Sequence, residues 1–451
     1  MSFPRYPKYK DSGVEWLGEV PEGWEVWKVA HSFGSIGSGT TPPSDENIWY
    51  EEGTIPWVTT GELRENTITE TNKCVTKEAV ERFSAMRIHP EGSIAIAMYG
   101  ATIGRLGVFG VAATTNQACC VLSSPKNLTS KFVFYWLIGF KNILIELYAS
   151  GGGQPNINQQ IIAGLRIPAP FWDDQVSIAT FLDRETAKID ALVAEQENLI
   201  ALLKEKRQAV ISHAVTKGLD PTAPMKDSGI EWLGKVPAHW EIKRVRHVAK
   251  LNPSKSEVAY LSRDVEVSFL PMEAVGEDGS LNLDRTRVLA EVETGYTYFR
   301  EDDVAIAKIT PCFENGKGAV MRGLKTNFGF GTTELIVIRP DEGRTTSNHL
   351  HALFNSTPFR KLGEAAMYGA GGQKRVPDDF VRNFELGFPP LAEQHAIKDF
   401  LDTETAKIDT LTAEAQRAID LLKERRSALI SAAVTGKIDV RGYHTHPQPI
   451  V

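Results

Sequence analysis

Two segments of this sequence carry residue types that could bind a phosphate or a metal ion. Residues 33–39 read FGSIGSG, but Thr40 and Pro42 follow where a phosphate-binding loop would begin a helix, so we predict a turn. Asp378 and Asp379, with Glu385 downstream, resemble the acidic half of a magnesium-dependent nuclease site, but Gly387 stands where the lysine of such a site would be. Neither segment predicts a complete active site.

Motifs for other reaction classes are also absent from the sequence. It contains no G-x-x-x-x-G-K-[ST] loop, no H-E-x-x-H, no nucleophile elbow and no Asn/Asp-Pro-Pro-aromatic tetrapeptide of the kind adenine methyltransferases use. The cysteines lack the spacing of a zinc site and suggest no disulfide framework. They are Cys74, Cys119, Cys120 and Cys312. We therefore predict a protein that binds rather than catalyses and that holds no metal ion.

A long repeat organises the chain around these segments. Residues 10–25, KDSGVEWLGEVPEGWE, return as residues 226–241, KDSGIEWLGKVPAHWE, with twelve of the sixteen positions identical. Residues 174–216 return as residues 393–435 at a shift of 219. The chain is therefore an internal tandem duplication. Trp16, Leu17 and Trp24 in the first opener, with their equivalents in the second, are predicted to clamp each globular part onto a neighbouring helix.

The repeated segments 174–216 and 393–435 predict two long helices. Each lacks Gly and Pro and is rich in Ala, Leu, Glu and Lys. Their heptad spacing predicts that they pair as an antiparallel coiled coil. The seam residues are predicted to be Ile189, Leu192, Leu199, Leu203 and Val210 in the first helix, and Ile408, Leu411, Ala415, Leu422 and Leu429 in the second.

Two interpretations of the apolar helix positions remain open. The helices could form only a strut, or they could also offer a second apolar face to another protein. Ile200, Leu202 and Ile211 are apolar residues off the predicted seam, and they favour the second interpretation. Both can hold together.

The parts of the chain between opener and helix have a mixed α and β pattern, so the fold class is α+β. Short apolar runs predict strands and longer amphipathic runs predict helices. The predicted strands are 54–58, 93–98, 304–309 and 335–338, and the predicted helices are 132–147 and 349–362. A Gly-Gly-Gln segment, 152–154 and 371–373, precedes the last strand of each part.

Composition bounds the class of protein. Length alone, at 451 residues, suggests about three units, and 42% hydrophobic with 24% charged residues is typical of a folded protein. No apolar run is long enough for a membrane span or a secretion signal, so we expect a cytoplasmic protein. The net charge of −7 argues against coating nucleic acid through bulk positive charge. DNA binding would require basic residues concentrated on a few loops, or a partner that supplies phosphate contacts.

The duplicated frame resembles the specificity subunit of type I restriction-modification systems. The resemblance rests on both openers, the Gly-Gly-Gln segments, the Pro-Pro-Leu-Ala-Glu-Gln entry at 389–394 and the helix ending Ile-Ser-x-Ala-Val-Thr, and it covers essentially the whole chain. The first copy departs from it at 172–175, Trp-Asp-Asp-Gln, although an acidic residue remains at the helix start.

The resemblance implies a DNA reader without catalytic activity of its own. Two target recognition domains, 1–170 and 220–390, would each read one half of a bipartite asymmetric site in double-stranded DNA. The helical segments 171–219 and 391–451 would set the distance between the halves. Two methyltransferase subunits would dock on the helices, and restriction-translocase subunits would join the complex. S-adenosylmethionine, ATP and magnesium would be bound by those partners and not by this chain.

The candidates for DNA contact are polar and aromatic residues at Gly-rich strand ends. Arg, Lys, Asn and Gln can grip phosphate or address base edges through paired hydrogen bonds. For each residue the alternative is an ordinary solvated loop position. The candidates are Arg64, Tyr99, Thr102, Arg105, Asn116 and Gln117 in the first half, and Lys308, Thr310, Asn315, Lys317, Thr332, Thr333, Lys374 and Arg375 in the second.

A function of another class competes with DNA reading. Two unlike heads on a coiled-coil strut could form a scaffold that recruits proteins, which suits the acidic net charge. An enzyme with an unrecognised site is a third hypothesis and would require turnover by the chain alone.

Overall fold

The computed structural model describes residues 3–149, 156–370 and 372–444, and the chain forms two compact units. Unit one is Met1–Gln196 with Arg417–Val451, and unit two is Glu197–Gln416. Two units are found where length alone suggested about three. Each unit combines one globular part with segments of both long helices, because the unit boundaries fall inside those helices.

Unit one contains twelve strands, four complete α-helices and parts of both long helices within the described residues. The strands are β1 (Tyr9–Asp11), β2 (Glu19–Pro21), β3 (Glu25–Lys28), β4 (Phe33–Ser38), β5 (Ile55–Val58), β6 (Asn66–Ile68), β7 (Cys74–Val75), β8 (Ile94–Ala97), β9 (Leu106–Phe109), β10 (Thr114–Thr115), β11 (Cys119–Pro125) and β12 (Arg166–Ala169). The helices are α1 (Val29–Ser32), α2 (Lys77–Arg82), α3 (Ser130–Tyr148), α4 (Gln159–Gly164) and the long α5 (Trp172–Lys217), which continues into unit two.

A five-stranded sheet in the order β4-β11-β8-β9-β6 is the centre of unit one. All its neighbours are antiparallel except β6 and β9, which are parallel. A three-stranded sheet, β10-β5-β7, and the pairs β1-β2 and β12-β3 complete the unit. Helix α3 packs on β11 and β9 and buries Phe132, Trp136 and Phe140 in the main core.

Unit two contains twelve strands and, wholly or in part, five further α-helices within the described residues. The strands are β13 (Met225–Asp227), β14 (Lys235–Pro237), β15 (Glu241–Arg244), β16 (Ala249–Leu251), β17 (Glu266–Leu270), β18 (Thr286–Val288), β19 (Thr297–Arg300), β20 (Val304–Ala307), β21 (Gly318–Val320), β22 (Phe328–Gly331), β23 (Leu335–Pro340) and β24 (Glu385–Phe388). The helices are α6 (Leu289–Val292), α7 (Ser347–Phe354), α8 (Thr357–Ala366), α9 (Asp378–Asn383) and the long α10 (Leu391–Val434), which continues into unit one.

The sheets of unit two repeat the frame of unit one. The pairs β13-β14 and β15-β24 match β1-β2 and β12-β3, and the sheet β16-β23-β20-β21 matches β4-β11-β8-β9. In the second four-stranded sheet, β18-β17-β22-β19, the strands β18-β17-β22 match β7-β5-β10 of unit one, and β19 is an additional strand. The fold is therefore of mixed α and β class, with one frame built twice.

The Gly-rich segment 33–39 is a strand and not the predicted turn. It forms β4 and pairs with β11 along its length, from Phe33 opposite Pro125 to Ser38 opposite Cys120. A side chain at Gly39 would lie 1.7 Å from the carbonyl oxygen of Thr115. The glycines therefore allow close approach of neighbouring backbone.

The interior elements follow the predicted pattern with one correction. The four predicted strands correspond to β5, β8, β20 and β23, and the predicted helix 132–147 lies inside α3. The predicted helix 349–362 is two helices, α7 and α8. Pro358 lies in the first turn of α8, where its missing N–H is tolerated, and it could not continue the hydrogen bonding of α7.

A buried glutamine fixes the start of each long helix. Gln175 is fully buried; its Oε1 accepts from Thr129 N at 2.7 Å, and its Nε2 donates to the carbonyl oxygens of Asn127 and Pro170. Gln394 makes the equivalent bonds in unit two. Because each amide satisfies groups on two segments, the sequence repeat at these positions has a structural cause.

The tryptophans of the openers pack as predicted. Trp24 is buried and contacts Tyr6 and Phe132 edge-on. Trp240 is fully buried, and its Nε1 donates to Glu393 Oε1 at the start of α10 over 3.1 Å.

The segments of α5 and α10 run antiparallel within each unit. In unit one, Arg426 pairs with Asp190 at 2.9 Å, and Arg441, beyond the end of α10, pairs with Asp174 near the start of α5 at 3.8 Å. In unit two, Arg207 pairs with Asp409. The pairs 190–426 and 207–409 are equivalent under the shift of 219, so the repeat reproduces the same helix contact in both units.

The residues buried between the two long helices are only partly those that the heptad spacing predicts. Ile189, Leu203, Ile408 and Ala415 are buried as predicted, and Val210, Leu422 and Leu429 are half-buried. Leu192, Leu199 and Leu411 are 45%, 41% and 48% exposed. The buried or half-buried positions between the predicted ones are Val193, Gln196, Ile200, Arg207, Thr412, Ala418, Ile419 and Arg426. An α-helix has 3.6 residues per turn, so the direction in which each side chain points determines which positions face the partner helix. The apolarity of a side chain alone does not determine this.

Candidate nucleic-acid interface

The strand register of unit one gathers its polar loop residues at one end of the five-stranded sheet. Ser38 lies opposite Cys120, and Ala97 opposite Cys119, so β4 and β8 end where β11 begins. Ile96 lies opposite Leu106, which adds the start of β9. Strand β6 is parallel to β9 and also begins there. We call the loops at this end the unit-one loop surface; it contains Thr41, Arg64, Tyr99, Thr102, Arg105, Asn116, Gln117 and Asn156.

All six residues predicted for unit one lie on this surface. Arg64, Arg105 and Gln117 are exposed, and Tyr99, Thr102 and Asn116 are half-buried. Gln117 Oε1 accepts a hydrogen bond from Thr41 Oγ1 at 2.6 Å. Asn116 Oδ1 accepts from Ala118 N at 3.1 Å and so shapes the turn before β11.

The carboxylates near this surface are engaged with the protein. Glu65 forms ion pairs with Lys141 and, at 3.6 Å, with Arg426. Glu62 accepts from the backbone N–H groups of Thr59 and Asn72 at 2.6 and 2.7 Å. Arg64 and Arg105 are exposed and form no ion pair with the described residues.

The matching sheet of unit two gathers its predicted residues at the equivalent end. Ala307 lies opposite Leu335, and Ile306 lies opposite Gly318, so the β20–β21 loop and the turn before β23 lie together. Thr310 N donates to the carbonyl oxygen of Lys374 at 3.0 Å. We call this end the unit-two loop surface; it contains Lys308, Thr310, Asn315, Lys317, Thr332, Thr333, Glu334, Tyr368, Lys374 and Arg375.

Several residues of the unit-two loop surface have protein partners. Arg375 forms a paired contact with Glu334, in which Nη2 lies 2.6 Å from Oε1 and Nε lies 2.9 Å from Oε2. This contact lowers the pKa of Glu334 and raises that of Arg375. Other polar contacts are Thr310 with Glu314 at 2.7 Å, Asn315 with Glu277 at 2.9 Å and Lys317 Nζ with the carbonyl oxygen of Met272 at 3.3 Å.

Three further residues of the unit-two loop surface have exposed side chains, and one of them is not among the predicted residues. Lys374 and Thr333 are exposed and form no side-chain hydrogen bond with the described residues. Tyr368, 64% exposed, forms a β-bridge with Arg375 and was not predicted. Only the fold brings it to this surface, because it precedes the Gly-rich segment with no pattern of its own.

Asn156 and Glu334 were also missed. Asn156 corresponds to Arg375 at the shift of 219, so the repeat could have identified it. Of the Gly-Gly-Gln segments, residues 152–154 and Gly371 lie outside the described residues.

The acidic residues considered for metal binding have other partners. Asp378 accepts from Asn252 Nδ2 at 2.7 Å, and Glu385 pairs with Arg244 at 2.6 Å. The described part of the chain contains no group of three His, Cys, Asp or Glu residues arranged to hold a metal ion. Nor does any described helix combine the length and apolarity needed to cross a membrane.

Part of this chain is similar to proteins that are already known. Residues 21–201 match the family described as type I restriction modification DNA specificity domain. The chain is 43% identical over 165 residues to the EcoAI specificity subunit of Escherichia coli, a match that covers 36% of this chain and 27% of that protein. The match to the EcoEI specificity subunit, 35% identical over 199 residues, covers 44% of this chain and 33% of that protein. The chain therefore matches about a quarter to a third of the length of these two relatives.

Matches over nearly the whole chain are weaker in identity. The MjaVIII specificity subunit of Methanocaldococcus jannaschii is 21% identical over 433 residues, which is 94% of each chain. The fold is shared with a chain in a structure described as "Structural basis underlying complex assembly and conformational transition of the type I R-M system", with a TM-score of 0.66, 15% identity and coverage of 93% and 99%. The family match therefore covers residues 21–201 of the 451, and the fold is shared over most of the chain.

Proposed function

We propose that this chain is the DNA-reading subunit of a type I restriction-modification complex. Each unit would read one half of a bipartite asymmetric site in double-stranded DNA. The observation that carries the proposal is that two sheets of matching topology end in loop surfaces with different polar residues. Because sequence is read by side chains on base edges, unlike loops on a common frame would recognise unlike half-sites.

Local charge supports the proposal. Arg64 and Arg105 on the unit-one loop surface and Lys308 and Lys374 on the unit-two loop surface can contact phosphate. These four cations lie at the loop ends of the two sheets, where a DNA-binding chain with a net charge of −7 would need them.

Exposed leucines on the long helices support the docking of two identical partners. Leu192 and Leu411 occupy equivalent repeat positions and are 45% and 48% exposed. Leu202 and Leu421 are also equivalent and are 53% and 59% exposed. Solvated leucines repeated in pairs fit a surface that two copies of one protein cover. We infer that these copies are methyltransferase subunits, with restriction-translocase subunits joining the complex.

Catalysis belongs to the partners in this proposal. The methyltransferase subunits would use S-adenosylmethionine to methylate adenine at N6, and the restriction subunits would use ATP and magnesium. This chain would bind none of these cofactors and would act in the cytoplasm with its DNA.

The test is to map N6-methyladenine in the host genome with and without this chain. We expect a bipartite motif with two different half-sites that is methylated only when the chain is present. Exchange of the globular part of unit one for that of a relative should change one half-site and leave the other. Unchanged methylation after deletion of the chain would contradict the proposal.

A protein-recruiting scaffold is the second candidate, because the negative net charge and the exposed leucines also suit it. In that case the chain and its partners would form a stable complex without sequence-preferring, salt-sensitive DNA binding. Titration of the purified complex with duplex DNA at several salt concentrations distinguishes the two functions.

A further inference from the structure

One residue position is held by the same backbone pairing in both loop surfaces. In unit one, Asn156 forms a β-bridge with Tyr99, and in unit two Arg375 forms one with Ile309. The next residue donates its N–H in each case: Ile157 to the carbonyl oxygen of Met98 at 2.8 Å, and Val376 to that of Lys308 at 2.9 Å. We call Asn156 and Arg375 the bridge position.

The guanidinium of Arg375 is held on one edge and open on the other. Glu334 accepts from Nε and Nη2 over 2.9 and 2.6 Å. A guanidinium has five N–H donors, so this leaves Nη1 and the second hydrogen of Nη2 as a fork at its tip. The Arg375 side chain is 38% exposed. A fork of this geometry matches the O6 and N7 acceptors of guanine in the major groove.

Glu334 is itself fixed by the turn before β23. Its backbone N–H donates to Thr332 Oγ1 at 3.2 Å, and its carbonyl oxygen accepts from Lys308 N at 2.9 Å. The backbone that carries Glu334 is therefore fixed, and the paired contact with its carboxylate orients the guanidinium before any ligand arrives. Orientation in advance reduces the entropy that binding must lose.

Asn156 offers different chemistry at the same position. Its side chain is exposed. An asparagine amide can donate to N7 and accept from N6 of adenine, the pairing complementary to that base. The repeat thus presents an arginine in one unit and an asparagine in the other on equivalent backbone.

We propose that the bridge position reads one base in each half-site: Arg375, positioned by Glu334, reads a guanine, and Asn156 reads an adenine. The inference rests on the proposed function, because it assigns bases to loop surfaces that must first contact DNA. It extends that function by naming the bases and the residues that distinguish them.

The test uses the full-length chain isolated with the chains that co-purify with it, and a library of DNA duplexes with randomised positions. Bound sequences are counted to give the relative affinity for each base at each position. We expect the native complex to prefer guanine at a position in one half-site and adenine at a position in the other. R375A should reduce the guanine preference by about tenfold or more, and N156A the adenine preference, each without effect on the other half-site.

E334Q tests the positioning role. It keeps the size of the side chain but removes the charge that holds Arg375. We expect weaker discrimination at the same guanine, with an unchanged thermal unfolding midpoint. A purely structural ion pair would change the midpoint and leave the base preference intact.

The matched control is R322A. Arg322 Nε donates to Asp302 Oδ1 at 3.0 Å, in an exposed arginine–carboxylate pair at the opposite end of the same sheet. This variant should keep the native base preferences. A similar loss in R322A and R375A would overturn the inference.

The outcomes separate this inference from the proposed function. If the native complex is sequence-specific but R375A keeps its guanine preference, or weakens binding to all sequences equally, base reading by Arg375 is excluded and the proposed function stands. The same holds if the native site lacks the expected guanine. If the native complex shows no sequence preference, both proposals fail.

Discussion

Buried polar side chains in this chain differ in how many of their hydrogen-bonding atoms have a partner. Gln175 and Gln394 use both ends of their amides, whereas His349 is 1% exposed and neither ring nitrogen has a hydrogen-bond partner among the described residues. Its ring lies 6.1 Å from that of Phe388. Burial lowers the pKa of His349 from 6.5 to about 4, so the ring is neutral in the folded protein at neutral pH.

His349→Leu should remove a pH dependence from the stability of unit two. Between pH 6.5 and about 4 the unfolded chain binds a proton at this position and the folded chain does not. The free energy of unfolding therefore falls as the pH is lowered through this window. At pH 5 the loss is on the order of 2 kcal/mol, and the leucine variant should not show it.

Thermal unfolding at pH 8 and pH 5 measures this difference. We compare the unfolding midpoint of the variant with that of the native chain at each pH. The difference should favour the variant more at pH 5 than at pH 8. An identical pH dependence in both proteins would show that His349 is protonated or hydrogen-bonded in the folded state.

At the scale of elements, the burial of a residue in the long helices depends on its position around the helix more than on its type. Leu199 and Leu203 have the same side chain and stand one helical turn apart, yet Leu203 is 6% exposed and Leu199 is 41% exposed. The ion pairs Asp190–Arg426 and Arg207–Asp409 occur at equivalent positions of the pairing. The helices therefore have one buried face and a second apolar face in solvent.

Leu203→Ala should destabilise the helix pairing, and Leu199→Ala should not. Truncation of a buried leucine costs about 2 to 5 kcal/mol through lost burial and a cavity. Truncation of an exposed leucine stays within about 0.5 kcal/mol. Urea unfolding of both variants measures the difference in the free energy of unfolding. Equal losses in both variants would contradict the seam described for these helices.

Leu202→Ala tests the proposed docking surface, to which Leu202, 53% exposed, belongs. If partners cover the exposed face, this variant should retain its stability but bind the methyltransferase subunit less tightly. Co-purification at increasing dilution gives that comparison.

For the whole molecule, the duplication reproduces one frame and one set of helix contacts with different loop contents. The shift of 219 relates Gln175 to Gln394, and Asn156 to Arg375. The first pair is identical because it supports the frame. The second pair differs, as expected for positions that face a ligand.

If the chain reads a bipartite site as proposed, insertion of one heptad into each long helix, after Leu199 and after Gln416, should lengthen the spacer of that site. Seven residues keep the seam in phase and add about 10 Å, close to three base pairs. Both half-sites should remain unchanged, because no loop residue is altered. Methylation mapping of the variant measures the spacer. A changed half-site would contradict the separation of reading from spacing, and a four-residue insertion in one helix is a control that disrupts the seam.

Local sequence predicted most elements of this fold because their patterns are strong. The long helices follow from some forty residues without Gly or Pro, and the clamp tryptophans follow from the repeat. The segment 33–39 was misread because Gly-rich strands and turns share a composition, and only pairing with β11 distinguishes them. The segment 349–362 is predicted as one helix but forms two. Pro358 is compatible with the first turn of a helix as well as with a break, and only the end of the first helix distinguishes these cases.

The sequence by itself determined that the chain is a duplicated frame with two long helices and unlike globular parts, because a repeat and a helical periodicity can be read directly from the order of the residues. The tertiary structure decided which helix leucines are buried, since that depends on phase between partners. It also decided which polar residues share a surface. Arg375 and Glu334 are 41 positions apart in the chain, and only strand pairing in the sheet brings the guanidinium and the carboxylate into contact.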